Sequence, residues 1–124
     1  MINIQVIPHS QQRYETVGDW WKDEQGILQI RVSEFDDWKM ESAVAVHELI
    51  EIILCHARGI KQDIVDDFDK NFEANRQEGN TDEPGDDPKA PYRKEHFFAT
   101  SIERLLCAEL DINWKEYEEK INNL

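Results

Sequence analysis

The chain has 124 residues, 27 of them acidic against 14 basic, and a formal net charge of −13. That length supports one core and hence a single domain over residues 1–124, and so negative a surface repels a phosphate backbone or an anionic membrane, which argues against nucleic acid or lipid as the main partner. No apolar run approaches the roughly 20 residues of a membrane span, and Met1-Ile2-Asn3-Ile4-Gln5-Val6 lacks the basic start of a secretion signal, so the expected location is the cytoplasm.

In chain order, Ile2, Ile4 and Val6 alternate with Asn3 and Gln5 as far as Pro8, the pattern of a half-buried strand over 2–7. A loop containing Gly18 follows. Residues 27–32 form a second strand candidate, entered through Gly26 and left through the acidic stretch 34–37, so a small sheet is expected within residues 2–32. Asp36 or Asp37 stands where it can cap a long helix over 38–58, and Gly59 supplies the stop.

Residues 63–73 place Ile64, Val65, Phe68 and Phe72 at helical spacing, which predicts a short amphipathic helix with a solvated acidic face. Residues 74–92 hold Gly79, Pro84, Gly85, Pro88 and Pro91 among acidic side chains and read as a loop. A helix from 93 to about 110 is expected to bury Phe98, Ala99, Ile102, Leu106 and Leu110. A last one, capped by Asp111 or Asn113, carries Trp114, Tyr117 and Ile121 on its apolar stripe. The expected fold class is α+β: a small N-terminal sheet or hairpin followed by about four helices, the last two within 93–124.

The chemistry concentrates in the helix over 38–58. With His47 as the origin, Glu51 falls at about 40°, Cys55 at about 80° and Glu48 at about 100°, while Val46, Leu49, Ile50, Ile53 and Leu54 fill the remaining arc. A helix so apolar should be buried. Burying ionisable groups costs several kcal/mol unless each is paired, so an imidazole and two carboxylates there call for a metal, a network or a reaction. His47 and Glu51 are one turn apart and can reach the same cation, and Glu48 stands at the edge of the stripe. On the later helix His96, Glu103 and Cys107 form a second polar stripe. If the stripes pack together, His96 completes a site, with Glu103 as a fourth ligand or as an acceptor behind a ligand.

Bland readings apply elsewhere. Cys55 and Cys107 are expected as reduced buried thiols. His56 suits the negative end of its helix, and His9 has no partner in view. The acidic segments 63–69 and 78–87 lack the ligand spacing of a calcium loop and read as solvated surface. Trp20, Trp21, Trp38 and Trp114 read as core or interface anchors, with part of a cleft wall as the alternative for the Trp20-Trp21 pair beside Gly18.

The run His47-Glu48-Leu49-Ile50-Glu51 resembles the H-E-x-x-H helix of the zincin metallopeptidases, with Glu51 where the second histidine stands. The order of elements is similar too, strands preceding the motif helix and a further ligand following from a later one. Residue by residue, the resemblance implies His47 and Glu51 as ligands of Zn²⁺, or of a harder Mn²⁺ or Mg²⁺ given the extra carboxylate. It implies Glu48 as general base toward the attacking water, His96 or Glu103 as the later ligand, and a peptide or protein as substrate. The chain as a whole is also similar to small proteins encoded by bacterial phages and prophages, which implies an accessory role and no activity. Two further readings stand beside the hydrolase. One is a Mg²⁺-dependent nucleotide pyrophosphohydrolase using Glu48, Glu51 and Glu103, and the other a non-enzymatic interaction protein whose polar stripe is structural.

Overall fold

A computed structural model describes residues 1–124 and shows an α+β fold, a three-stranded sheet followed by four helices. The strands are β1 (Ile2–Ile7), β2 (Gly18–Lys22) and β3 (Leu28–Ser33), in the order β1-β3-β2. β1 runs parallel to β3, with Ile4 opposite Ile30, and β2 runs antiparallel to it, with Trp20 opposite Ile30. β1 and β3 lie where the alternation predicts strands; β2 replaces part of the expected loop. Gly-Asp-Trp-Trp-Lys carries no apolar alternation, because the face turned from the core is itself closed by charge. Trp20 enters the core, whereas Asp19 is buried on the opposite face by an Arg13 ion pair at 2.7 Å and Trp21 lies beneath the Arg13 and Arg31 guanidiniums at 4.5 and 5.1 Å.

The helices are α1 (Trp38–Ala57), α2 (Gln62–Ala74), α3 (Arg93–Glu109) and α4 (Trp114–Asn122). Asp37 caps α1 by accepting from the Lys39 and Met40 amides, and the chain turns off it through Gly59 at φ +68°. Asn113 caps α4 in the same way, through the Glu116 amide. α1 lies across the sheet on one side and along α3 on the other, and the core of Ile30, Val32, Phe35, Met40, Val44 and Ile52 fills the space between sheet and helix.

The polar stripe of α1 is buried, as its setting in so apolar a helix predicts: His47, Glu48, Glu51 and Cys55 are buried, while of the apolar arc Ile53 is 45% exposed and Val46, Leu49, Ile50 and Leu54 are half-buried. In α3 the expected core face is corrected: the buried side chains are Glu95, His96, Ala99, Glu103 and Cys107, and Phe98 is 52% exposed. Both patterns have one cause. The polar stripes satisfy each other across the α1–α3 contact, so part of each apolar arc is left facing outward while Met40, Val44 and Ile52 pack in the core.

Candidate metal centre

His47 and Glu51 rise from α1 and His96 from the first turn of α3. His47 Nε2 lies 2.7 Å from Glu51 Oε2, Glu51 Oε2 lies 2.9 Å from His96 Nδ1, and the two ring nitrogens are 3.2 Å apart. The three side chains are buried, and these donor atoms could hold a metal ion. Two imidazole nitrogens and a carboxylate oxygen are a proper zinc donor set, and ligands at roughly 2.0–2.2 Å around a tetrahedral ion stand about 3.3–3.5 Å from one another. To accept one, the triangle opens least between the two rings and most, by roughly 0.6–0.8 Å, between His47 and Glu51. Without an ion, both rings turn an N–H site on the same carboxylate oxygen. Burial disfavours a charged His47, but the Glu51 and Glu103 carboxylates outweigh it and hold its pKa well above the ordinary value. His96 is pushed up to about 12 by Asp86, Glu51 and Glu83 against the same opposition. Burial would raise Glu51, yet the two imidazoles hold it far below the usual carboxylate range. Protons thus occupy the place of a cation.

The second nitrogen of each ring is also held. His47 Nδ1 lies 2.7 Å from Glu103 Oε1, and the hydroxyl of Tyr117, fully buried on α4, donates to Glu103 Oε2. His96 Nε2 lies 3.1 Å from both Asp86 Oδ1 and Glu83 Oε2. Carboxylates on the outer nitrogens fix ring orientation and raise basicity, the usual support of ligating histidines. Of the two positions open to Glu103, the structure puts it behind His47, on the nitrogen turned away from Glu51 and His96. Glu51's other oxygen accepts from Trp20 Nε1 at 3.0 Å.

Glu48 takes a different environment from its neighbours. It is 9% exposed, lines the cavity beside the triangle and accepts no hydrogen bond from the protein. Burial and the Glu51 charge raise its pKa well above the usual range. Its carboxylate lies against Gly18 of β2, where a Cβ would come within 2.5 Å of Glu48 Oε1. Any side chain there would have to displace the Glu48 carboxylate. The same holds at Gly85, whose Cβ would fall 2.3 Å from His96 Cγ. Backbone contact thus seats the Glu48 carboxylate on one side and the His96 ring on the other.

The cavity holds about 310 Å³ and is walled by β2, α1, α2 and the 80–85 segment. Several of its residues escaped the sequence. The acidic loop is not merely solvated surface: a 3-10 turn at Pro84–Asp86 brings Glu83, Gly85 and Asp86 onto His96. Asp66, expected on the solvated face of α2, is buried and paired with Arg13 at 3.2 Å. Asp69 accepts from Tyr92 at 2.6 Å and Tyr14 at 3.2 Å, and burial pushes it up to about 7. His9 is not alone but lies 2.8 Å from both Ser33 and Glu15. The signals that could have revealed Asp86 and Tyr117 are three-dimensional, since neither sits at helical spacing from a ligand. Cys55 and Cys107 are buried free thiols outside the triangle, and His56 is exposed at the end of α1. Glu48, Glu51 and Glu103 do not converge, because Glu51 turns to the histidines and Glu103 lies behind His47.

No helix is long and apolar enough to cross a membrane. No protein-family model, curated protein or solved structure matches the chain, so geometry alone carries the reading of this site.

Proposed function

We propose that the protein is a metal-dependent hydrolase of the kind the zincin resemblance implies, with His47, Glu51 and His96 holding one Zn²⁺ and Glu48 acting as general base. The observation that carries this reading is the triangle of donor atoms, each ring braced from behind by a carboxylate. When bound, the ion supplies Lewis acidity, lowering the pKa of a water and stabilising negative charge on an acyl oxygen. Glu48 then receives the proton of the attacking water and returns it to the leaving group. Its lack of any donor from the protein leaves both oxygens free for this work, and the positive ion beside it offsets the burial that otherwise keeps it protonated.

A peptide substrate fits the open edge of β2. The Lys22 amide points away from β3 to Gln62 Oε1 at 2.6 Å, and by the two-residue repeat of a strand the backbone of Gly18 and Trp20 faces the same way, along the cavity. An extended chain laid there gains main-chain hydrogen bonds next to Glu48.

The test is metal content and turnover together. The purified protein is expected to bind one Zn²⁺ per chain and cleave a mixed peptide library. Glu48→Gln should keep the metal and lose at least a thousandfold in kcat. A protein that takes up neither Zn²⁺ nor Mn²⁺ would overturn the proposal. A structural polar network is the second reading, favoured by one observation: both ring nitrogens of both histidines already have partners.

A further inference from the structure

The carboxylates around the cavity differ in whether a cation of the protein already answers them. Asp19 and Asp66 share Arg13, at 2.7 and 3.2 Å, and Glu73 pairs with Arg76 at 2.8 Å. Asp69, which lines the same cavity from α2, pairs with none: no lysine, arginine or histidine nitrogen lies within 4.0 Å of it. Its oxygens accept only neutral hydroxyls, Tyr92 Oη on Oδ1 and Tyr14 Oη on Oδ2. Two phenols fix the direction of the carboxylate and leave its charge unanswered.

Tyr92 ties this group to the metal centre. It is buried, and its ring meets that of His96 edge-on, with centroids 6.1 Å apart, while its hydroxyl holds Asp69. The carboxylate therefore stands one phenol away from the His96 ring and lines the same cavity. Glu48 adds a separate observation. It is more than nine-tenths buried, opens on the same cavity and has no partner of its own. Asp69 opens on this cavity without an ion-pair partner, beside the uncommitted oxygens of Glu48 and on a molecule of net charge −13, and a cation placed there would favour the ionised form of both carboxyls.

We propose that Asp69, oriented by Tyr14 and Tyr92, determines specificity in this cleft by binding the ammonium or guanidinium of a lysine or arginine side chain, so that the substrates are basic peptides. The word substrate rests on the hydrolase reading; the charge preference does not. The full chain, Zn²⁺-loaded and metal-free, would be titrated with Nα-acetyl-lysine methylamide and with its Nε-acetylated, neutral counterpart, following amide resonances by NMR. The cationic probe is expected to bind at least tenfold more tightly, with shifts centred on Tyr14, Asp69 and Tyr92, and Asp69→Asn should remove that advantage.

Equal affinity for the two probes, no saturable shift with the lysine probe, or a preference undiminished in Asp69→Asn would each overturn the assignment. The comparison of probes on the unaltered protein stands even if the variant folds poorly. Absence of Zn²⁺ uptake alongside a clear charge preference would sink the hydrolase and support Asp69. Cleavage of neutral and basic peptides at equal rates, with no probe preference, would do the reverse.

Discussion

Gly18 and Gly85 show how a single missing Cβ shapes this site. Neither needs a left-handed backbone; at each a buried side chain, Glu48 or His96, occupies the space where a methyl would go. Gly85→Ala is expected to displace the His96 ring or the 83–86 turn, destabilising the protein by about 1–3 kcal/mol as overpacked sites do. Zinc affinity should fall in parallel, since the Asp86 brace moves with the turn. Thermal unfolding and a competitive chelator titration measure the two effects, and an unchanged affinity would show that the ring is not held from this side. The identities His47, Glu48 and Glu51 were legible from spacing alone, because helical periodicity places them on one stripe regardless of the rest. Gly85 and Asp86 were not, because a loop has no periodicity from which to project a direction.

At the scale of elements, α4 acts on the site without touching the three candidate ligands. Its Tyr117 hydroxyl donates to Glu103, and Glu103 in turn holds His47 Nδ1. Tyr117→Phe leaves the ring packing in place and removes one hydrogen bond to a buried charge, worth about 1.5–3 kcal/mol. Removing Glu103 itself, as in Glu103→Ala, should lower metal affinity about 10–100-fold, the usual cost of losing an outer partner of a ligating histidine, and Tyr117→Phe should lower it less because Glu103 stays on His47. Substituting Glu103 by Gln, which preserves an acceptor for His47, should recover part of the affinity relative to Ala at that position. The pairing of α1 with α3 explains why the apolar reading of the α3 face fails at Phe98. Hydrophobic patterning predicts burial when the neighbour is apolar, and here each helix meets a polar stripe of matching spacing.

For the whole molecule, charge couples stability to pH and to ions. Metal uptake requires both histidines to give up their ring protons at the inner nitrogens, so zinc binding should release protons and tighten as pH rises. Calorimetry in buffers of different ionisation enthalpy counts those protons. Saturation at a thousandfold over Kd would add about 4 kcal/mol to stability. Asp69 contributes a separate dependence. Its folded pKa, about 7, lies above its ordinary value of 3.8, so the unfolded chain loses the proton first and stability falls as pH rises through that interval. Asp69→Asn removes this term. The variant should therefore gain in melting temperature relative to the metal-free parent between pH 4 and 7, and a constant difference across that range would show that the group titrates normally.

From the sequence by itself came the α+β class, strands β1 and β3, four helices, and two polar stripes, one with His47, Glu48 and Glu51 and one with His96 and Glu103. These follow from local rules: alternation, turn chemistry, capping and the angle per residue. Tertiary structure alone decided that β2 exists, that Glu103 stands behind His47 while His96 joins Glu51, and that the acidic loop returns to brace a buried ring. Each of these depends on which groups meet across long sequence separations, where the need to satisfy buried charge overrides the pattern that any one segment displays.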